Sequence, residues 1–232
     1  MSVAIRALVF DVFGTLVDWR SGVAREATRI LGGSIDGGAF ADAWRARYQP
    51  SMEPIRAGRR PFVDLDALNA ESLEETLVGF GIPGLDAAAK RDLVQAWHRL
   101  DAWPEVPAAI ARLRGNHLLA PLSNAHVRLA VDLARRNGLT FDAVFGGGFS
   151  RDYKPKPALY LDAVSGVGFP PAETLMVAAH SSDLAAAASH GLATAHIARP
   201  HEHGPAGGET APSVPVTYAA ADLADLARQL GC

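Results

Sequence analysis

Apolar and polar positions along the chain fall into two regimes. In the first, short apolar runs alternate with stretches whose apolar residues recur at a spacing near 3.6, the pattern of strands joined by crossover helices. The runs are "IRALVF" (5–10), "HLLAPLS" (117–123), "FDAVFG" (141–146), "TLMVAA" (174–179) and "ATAHIA" (193–198). A sixth, "VPVTYA" (214–219), suits a sheet edge because Pro215 has no amide to donate. Between them "AHVRLAVDLARRNG" (125–138), "PALYLDAVSGVG" (157–168) and "SDLAAAASHG" (182–191) read as helices, each closing on a glycine suited to a left-handed cap. "AADLADLARQLG" (220–231) is one more amphipathic helix. This alternation predicts an α/β fold with a doubly wound, Rossmann-like parallel sheet.

The second regime covers residues 20–100. "SGVAREATRILGG", "GAFADAWRARYQPSMEPIRAG", "DLDALNAESLEETLVGFG" and "DAAAKRDLVQAWHRL" are helical in pattern, with no convincing strand between them. The α/β pattern resumes near Trp103-Pro104. The expected organisation is a core formed by residues 1–16 and 101–232, with an all-helical cap, 17–100, inserted after the first strand. Such an insert covers the C-terminal edge of the sheet, where open α/β folds bind ligands. No internal repeat is present. "RPHEHGPAGGETAPSVP" (199–215) reads as a Pro/Gly-rich surface loop with His201 and His203 solvated.

Composition narrows the partners. A chain of 232 residues with 49% apolar and 20% charged residues buries a substantial core and is not disordered. A formal charge of −3 gives no reason to expect nucleic acid or an anionic membrane. The one cysteine, Cys232, excludes an intrachain disulfide and fits a reducing compartment. The opening "MSVAIRALVFDVFG" has neither the length of a membrane span nor a secretory cleavage pattern, so a cytoplasmic location is expected.

Four segments carry candidate chemistry, each just past a strand. "VFDVFGTLVDW" (9–19) delivers Asp11 to a turn containing Gly14 and Thr15, whose amides suit an anion cradle; a helix-capping role is the alternative. "LSNA" brings Ser123 and Asn124, donors that also suit an N-cap. "YKPKPALY" brings Lys154 and Lys156 on a proline-stiffened loop. "VAAHSSDLAAA" brings Asp183. The run "GGGFSR" (146–151) lacks the third glycine of a dinucleotide fingerprint, and no Walker lysine is present.

In order and position these segments resemble the haloacid dehalogenase superfamily of hydrolases, over essentially the whole chain. Most members are phosphohydrolases with an Asp-x-Asp turn and a bound Mg²⁺. Here the second acid is Phe13, which transfers no proton, and the Gly-Asp-x-x-x-Asp pattern becomes Ala178-Ala179-His180-Ser181-Ser182-Asp183. Losing an acid catalyst and a metal ligand turns the resemblance toward the type II, L-specific 2-haloacid dehalogenases. Their leaving halide needs no proton, only a bare carboxylate, halide donors and a dry pocket. "WRARY" (44–48) resembles their cap helix and puts Arg45 on the substrate, with Arg47 as the fallback.

The resemblance implies a reaction. Asp11 attacks C2 of a short 2-haloalkanoate, halide leaves toward Arg45 and Asn124, and water hydrolyses the Asp11 ester to a 2-hydroxy acid. Lys154 keeps Asp11 ionised. Thr15 and Ser123 bond the nucleophile or the substrate carboxylate. Tyr160 lines the site, and Phe13 with Phe62 forms its apolar wall, Phe62 fitting cap core equally well. Asp183 pairs with Lys154 and orients water. His180, where members often carry asparagine, suits water activation, halide contact or structure alike. No metal or cofactor is implied; a small 2-haloacid is the expected partner, and homodimers are frequent in the family. The rival readings are a Mg²⁺-dependent phosphatase, a hydrolase opening a strained ring of the azetidine-2-carboxylate kind, and a binding relic without turnover.

Overall fold

The computed structural model describes residues 4–232. Its sheet has six parallel strands in the order β5-β4-β1-β6-β7-β8: β1 (Ala7–Phe10), β4 (Leu118–Ser123), β5 (Phe145–Gly146), β6 (Thr174–Ala178), β7 (Ala193–Ile197) and β8 (Tyr218–Ala220). All four side chains of β1 are fully buried. Alternation sends Leu8 and Phe10 into one apolar layer and Ala7 and Val9 into the other, so the strand is apolar throughout because both faces are covered. The first face packs on α6 (Val106–Leu113), α7 (Val127–Arg136) and α11 (Leu223–Gln229). The second packs on α9 (Pro157–Val167) and α10 (Ser181–Ser189). From β1 the chain runs outward to β4 and β5, then returns to β6 on the other side. That reversal makes the C-terminal end of β1 a topological switch point, the usual place for a ligand crevice.

A second, two-stranded antiparallel sheet pairs β2 (Val17–Asp18) with β3 (Asp101–Ala102) and closes the ends of the helical segment into a narrow neck. Strands this short carry no readable alternation, which is why the sequence pattern missed them. Within the segment lie α1 (Trp19–Leu31), α2 (Gly37–Ala46), α3 (Tyr48–Arg56), α4 (Leu65–Gly79), α5 (Ala87–Val94) and a 3₁₀ turn, Gln95–Arg99. Four of these helices begin at an aspartate, Asp18, Asp36, Asp64 and Asp86, whose carboxylate accepts first-turn amides. Apolar faces meet around Trp97, which packs edge-on against Phe13 at 5.9 Å and Trp44 at 5.5 Å, and stacks on Trp19 at 6.4 Å.

Four further differences from the sequence pattern stand out. The expected strand 141–146 is reduced to Phe145–Gly146, and the edge strand begins only at Tyr218, beyond Pro215. Helix α6 follows Pro104 directly, where only a resumption of α/β pattern was legible. A small helix, α8 (Gly147–Ser150), occupies part of the glycine run. No helix among the described residues is long and apolar enough to cross a membrane.

Candidate active site

Asp11 sits one residue past β1, its amide donating to Val177 O at 2.9 Å, and lines a cavity of about 510 Å³ between the sheet edge and the helical segment. Its Oδ2 accepts the Thr15 hydroxyl at 2.8 Å, and its Oδ1 accepts the Lys154 ammonium at 3.1 Å. Nδ1 of His180 stands 3.4 Å from Oδ2. Burial alone would raise the Asp11 pKa. The Lys154 and His180 charges and the Thr15 hydrogen bond outweigh it and hold the carboxyl well below the usual carboxylate range. Thr15 in turn accepts the Ala179 amide at 2.9 Å, fixing its hydroxyl toward Asp11.

Lys154 also donates to Oδ2 of Asp183, whose Oδ1 accepts the Tyr160 hydroxyl at 2.6 Å. Burial lowers the lysine pKa, but the two carboxylates more than restore it and the ammonium stays charged. Asp183 is pushed up by burial and by the Asp11 charge, against the pull of Lys154. The backbone amide of Lys154 donates to Asn124 Oδ1 at 2.8 Å, and Asn124 Nδ2 donates to the Tyr48 hydroxyl at 3.0 Å, tying sheet edge to helix α3.

On the far wall is Arg45, at the C-terminal end of α2. Its guanidinium carbon lies 4.0 Å from the Tyr48 ring centroid, 5.1 Å from Trp19 and 5.9 Å from Phe13. Its Nη1 is buried without a hydrogen-bond partner, and among the described residues no carboxylate pairs with it. An unpaired guanidinium on an aromatic cradle is a built anion site.

The structure therefore gathers Asp11, Phe13, Arg45, Asn124, Lys154, Tyr160, His180 and Asp183 around one cavity, with Thr15 directly behind Asp11. Two expectations are corrected and one fallback falls away. Ser123 does not line the cavity: its hydroxyl accepts the Ala125 amide at 3.2 Å, a turn-closing role typical of serine. Phe62 packs on the Tyr153 ring at 5.3 Å with the Arg151 guanidinium 4.7 Å from its centroid, outside the cavity lining. Arg47, the fallback for Arg45, points outward and pairs with Glu75.

Sequence reasoning missed several cavity residues, Tyr48, Gln49, Arg56, Glu202 and Glu209 among them. The loop read as surface is firmly anchored: Arg199 Nε donates to Thr15 O at 3.0 Å, and Nη2 lies 2.7 Å from Glu105. It delivers Glu202, 1% exposed, to His180 Nε2 at 3.0 Å and to Trp19 Nε1 at 3.1 Å. His203 is exposed, as expected, and also stands at the cavity with its ring 5.7 Å from that of Trp19. The one signal available in sequence was Gly14. Its φ is +88°, and a Cβ there would come within 2.1 Å of Glu202 Oε1, so the turn must be glycine for the loop acid to enter.

A parallel sheet with a buried, lysine-paired aspartate at its switch point is an α/β enzyme site whose geometry can support covalent attack by a carboxylate. The chain belongs to the haloacid dehalogenase-like hydrolase family, whose profile matches residues 5–191. It is similar to an (S)-2-haloacid dehalogenase of Xanthobacter autotrophicus, 32% identical over 84% of this chain and 76% of that one. Among solved structures, a defluorinating L-2-haloacid dehalogenase superposes with a TM-score of 0.93 at 42% identity, covering 98% of this chain and 96% of its own. The Xanthobacter autotrophicus L-2-haloacid dehalogenase with chloropropionic acid covalently bound superposes at 0.83 with 28% identity, covering 98% of each.

Proposed function

We propose that this chain hydrolyses short 2-haloalkanoic acids, haloacetate and (S)-2-halopropanoate, to 2-hydroxy acids through an ester on Asp11. The observation that carries it is an ionised carboxylate, held by Lys154, in the same cavity as an unpaired, aromatic-cradled Arg45. A carboxylate stripped of water attacks saturated carbon well, and a guanidinium stabilises the charge growing on a departing halide. The names of the similar dehalogenases, and the covalent chloropropionate complex of one of them, support the same chemistry.

In this reading Asp11 displaces halide from C2 with inversion, forming the ester. Thr15 and Lys154 hold the nucleophile, Arg45 and Asn124 receive the halide, and Phe13 keeps the reacting carbon dry. Residues 17–100 act as the cap over a core of 1–16 and 101–232. Water then attacks the ester carbonyl at Cγ of Asp11 and frees the hydroxy acid. A divalent cation at Asp11 is disfavoured by the residues themselves, because Lys154 and a charged His180 already face both carboxylate oxygens.

The test is halide release from chloroacetate and from each 2-chloropropanoate enantiomer, with chelator present. Stoichiometric halide and hydroxy acid are expected, with the (S) isomer preferred. In a single turnover in ¹⁸O-water, the label should enter Asp11 and not the product. Label in the first product, or no halide at all, overturns the reading.

A further inference from the structure

Hydrolysis of the ester needs a group to take a proton from water beside Cγ of Asp11. Asp183 is fully engaged, one oxygen by Tyr160 and the other by Lys154. His180 is not. Its Nδ1 faces Asp11 at 3.4 Å, and its Nε2 lies 3.0 Å from both oxygens of Glu202. Glu202 has no lysine or arginine against it; its ion-pair partners among the described residues are His180 and, at 3.8 Å, His203. A carboxylate buried this deeply and aimed at one imidazole nitrogen orients that imidazole, as the acid does in a nucleophile–histidine–acid triad.

We propose that His180 is the general base of ester hydrolysis and Glu202 the residue that positions it, the pair being armed when Asp11 is alkylated. This rests on the aspartyl-ester reading above. In the resting chain Asp11 and Glu202 flank the ring; burial opposes the charge, but the two acids push the His180 pKa up to about 10. Alkylation makes Asp11 a neutral ester and removes one of those two supports. Lys154, Arg45, Arg56, His196, His203, Asp183 and Glu209 also stand near the ring or its cavity, and the alkylation itself removes charge from Asp11 alone. The imidazolium then releases a proton to solvent. Glu202 retains the proton on Nε2, which leaves the lone pair on Nδ1, the nitrogen facing the ester.

The balance closes. Nδ1 takes a proton as water adds to Cγ, with the tetrahedral oxyanion within reach of Lys154. Collapse breaks the Cγ–O bond to the hydroxy acid, whose oxygen takes that proton back. The carboxyl left on Asp11 gives its own proton to His180 and restores the resting pair. One water is consumed, and one halide, one hydroxy acid and one proton are released.

The experiment is rapid-quench turnover of (S)-2-chloropropanoate, following halide and the intact-mass adduct on Asp11 in wild type, His180→Asn, Glu202→Gln and Glu202→Asp. Expected in His180→Asn and Glu202→Gln is a burst of about one halide per chain, with adduct decay slowed on the order of 10²-fold or more. Glu202→Asp should recover part of the decay rate. The decay rate in wild type should rise with pH along a titration that His180→Asn abolishes. Adduct decay at the wild-type rate in His180→Asn, or loss of its halide burst while wild type is active, overturns the proposal. His180 is partly exposed, so its variant decides the matter should Glu202→Gln fail to fold. Wild type that forms neither halide nor adduct defeats the aspartyl-ester reading instead.

Discussion

Among the described residues, no acid pairs with Arg45. Its charge is tolerated because three aromatic faces surround the guanidinium, and the cost of leaving Nη1 unpaired is met only when an anion arrives. In the proposed reaction that anion is the departing halide. Arg45→Ala should therefore lower the rate of halide release by roughly 10²-fold. Arg45→Lys should recover only part of this, because an ammonium neither stacks on Tyr48 nor presents a planar fork. Steady-state halide assays of the two variants check the order; a lysine variant as fast as wild type would mean that charge alone suffices. Asp11, Lys154 and Asp183 were legible in sequence because each follows a strand, in an order that resembles the dehalogenase superfamily, whereas Arg45 was legible only through the resemblance of its helix, since an arginine on a helix is otherwise a surface residue. Ser123 and Phe62 were not: a hydroxyl or a ring serves turns and packing equally well, and only its neighbours decide.

At the scale of elements, the turn after β1 is the joint on which the site depends. Gly14 O accepts the Trp103 indole at 2.8 Å, Thr15 O accepts Arg199, and the space above Gly14 is filled by the Glu202 carboxylate. Strand, neck and distant loop thus meet on two residues. Gly14→Ala combines a left-handed backbone with a clash against a buried carboxylate, and should cost on the order of 1–3 kcal/mol. Thermal unfolding measures the loss, and the ester-hydrolysis step should slow with it as Glu202 is displaced from His180. An unchanged melting temperature would show that the loop yields freely. The loop lies at the surface as read, but its two buried residues, Arg199 and Glu202, were not legible, because proline and glycine report only that a segment is irregular. Whether an irregular segment floats or packs depends on partners such as Thr15, Glu105 and Trp19, remote in sequence.

Across the whole molecule, a second polar cluster joins the helical segment to the sheet layer. His98 in the 3₁₀ turn donates through Nδ1 to Asp132 of α7 at 2.8 Å and through Nε2 to Asp66 of α4 at 3.0 Å. His126 Nε2 lies 3.2 Å from Asp66, while its Nδ1 accepts the Leu129 amide at 3.3 Å. His98, held between Asp66 and Asp132, makes the cluster an ion-pair link between the helical segment and α7. Burial lowers the His98 pKa, but Asp66 and Asp132 outweigh it and the pKa is raised. Its stabilisation is therefore full below the ordinary value of 6.5 and is lost as pH climbs through the raised one. Asp66 is opposed by burial yet held low by His126 and His98, so its share persists above 3.8 and is lost as pH falls. His98→Gln should destabilise by about 1–3 kcal/mol near pH 6, and the gap to wild type should narrow in alkali. Taking the difference between the two chains removes the parallel contribution of His180. A gap that stays constant with pH would mean the histidine is neutral throughout.

The chain's periodicities, by themselves, determined that a parallel sheet would form, where a helical segment would interrupt it, and that Asp11 would stand at the sheet edge. Local apolar spacing and aspartate caps act over a few residues, so they are written in consecutive letters. Tertiary structure alone decided the β2–β3 neck, the unpaired state of Arg45 and the arrival of Glu202 beside His180. Those depend on which groups exclude water from one another across long stretches of chain, and that information exists only once the core has closed.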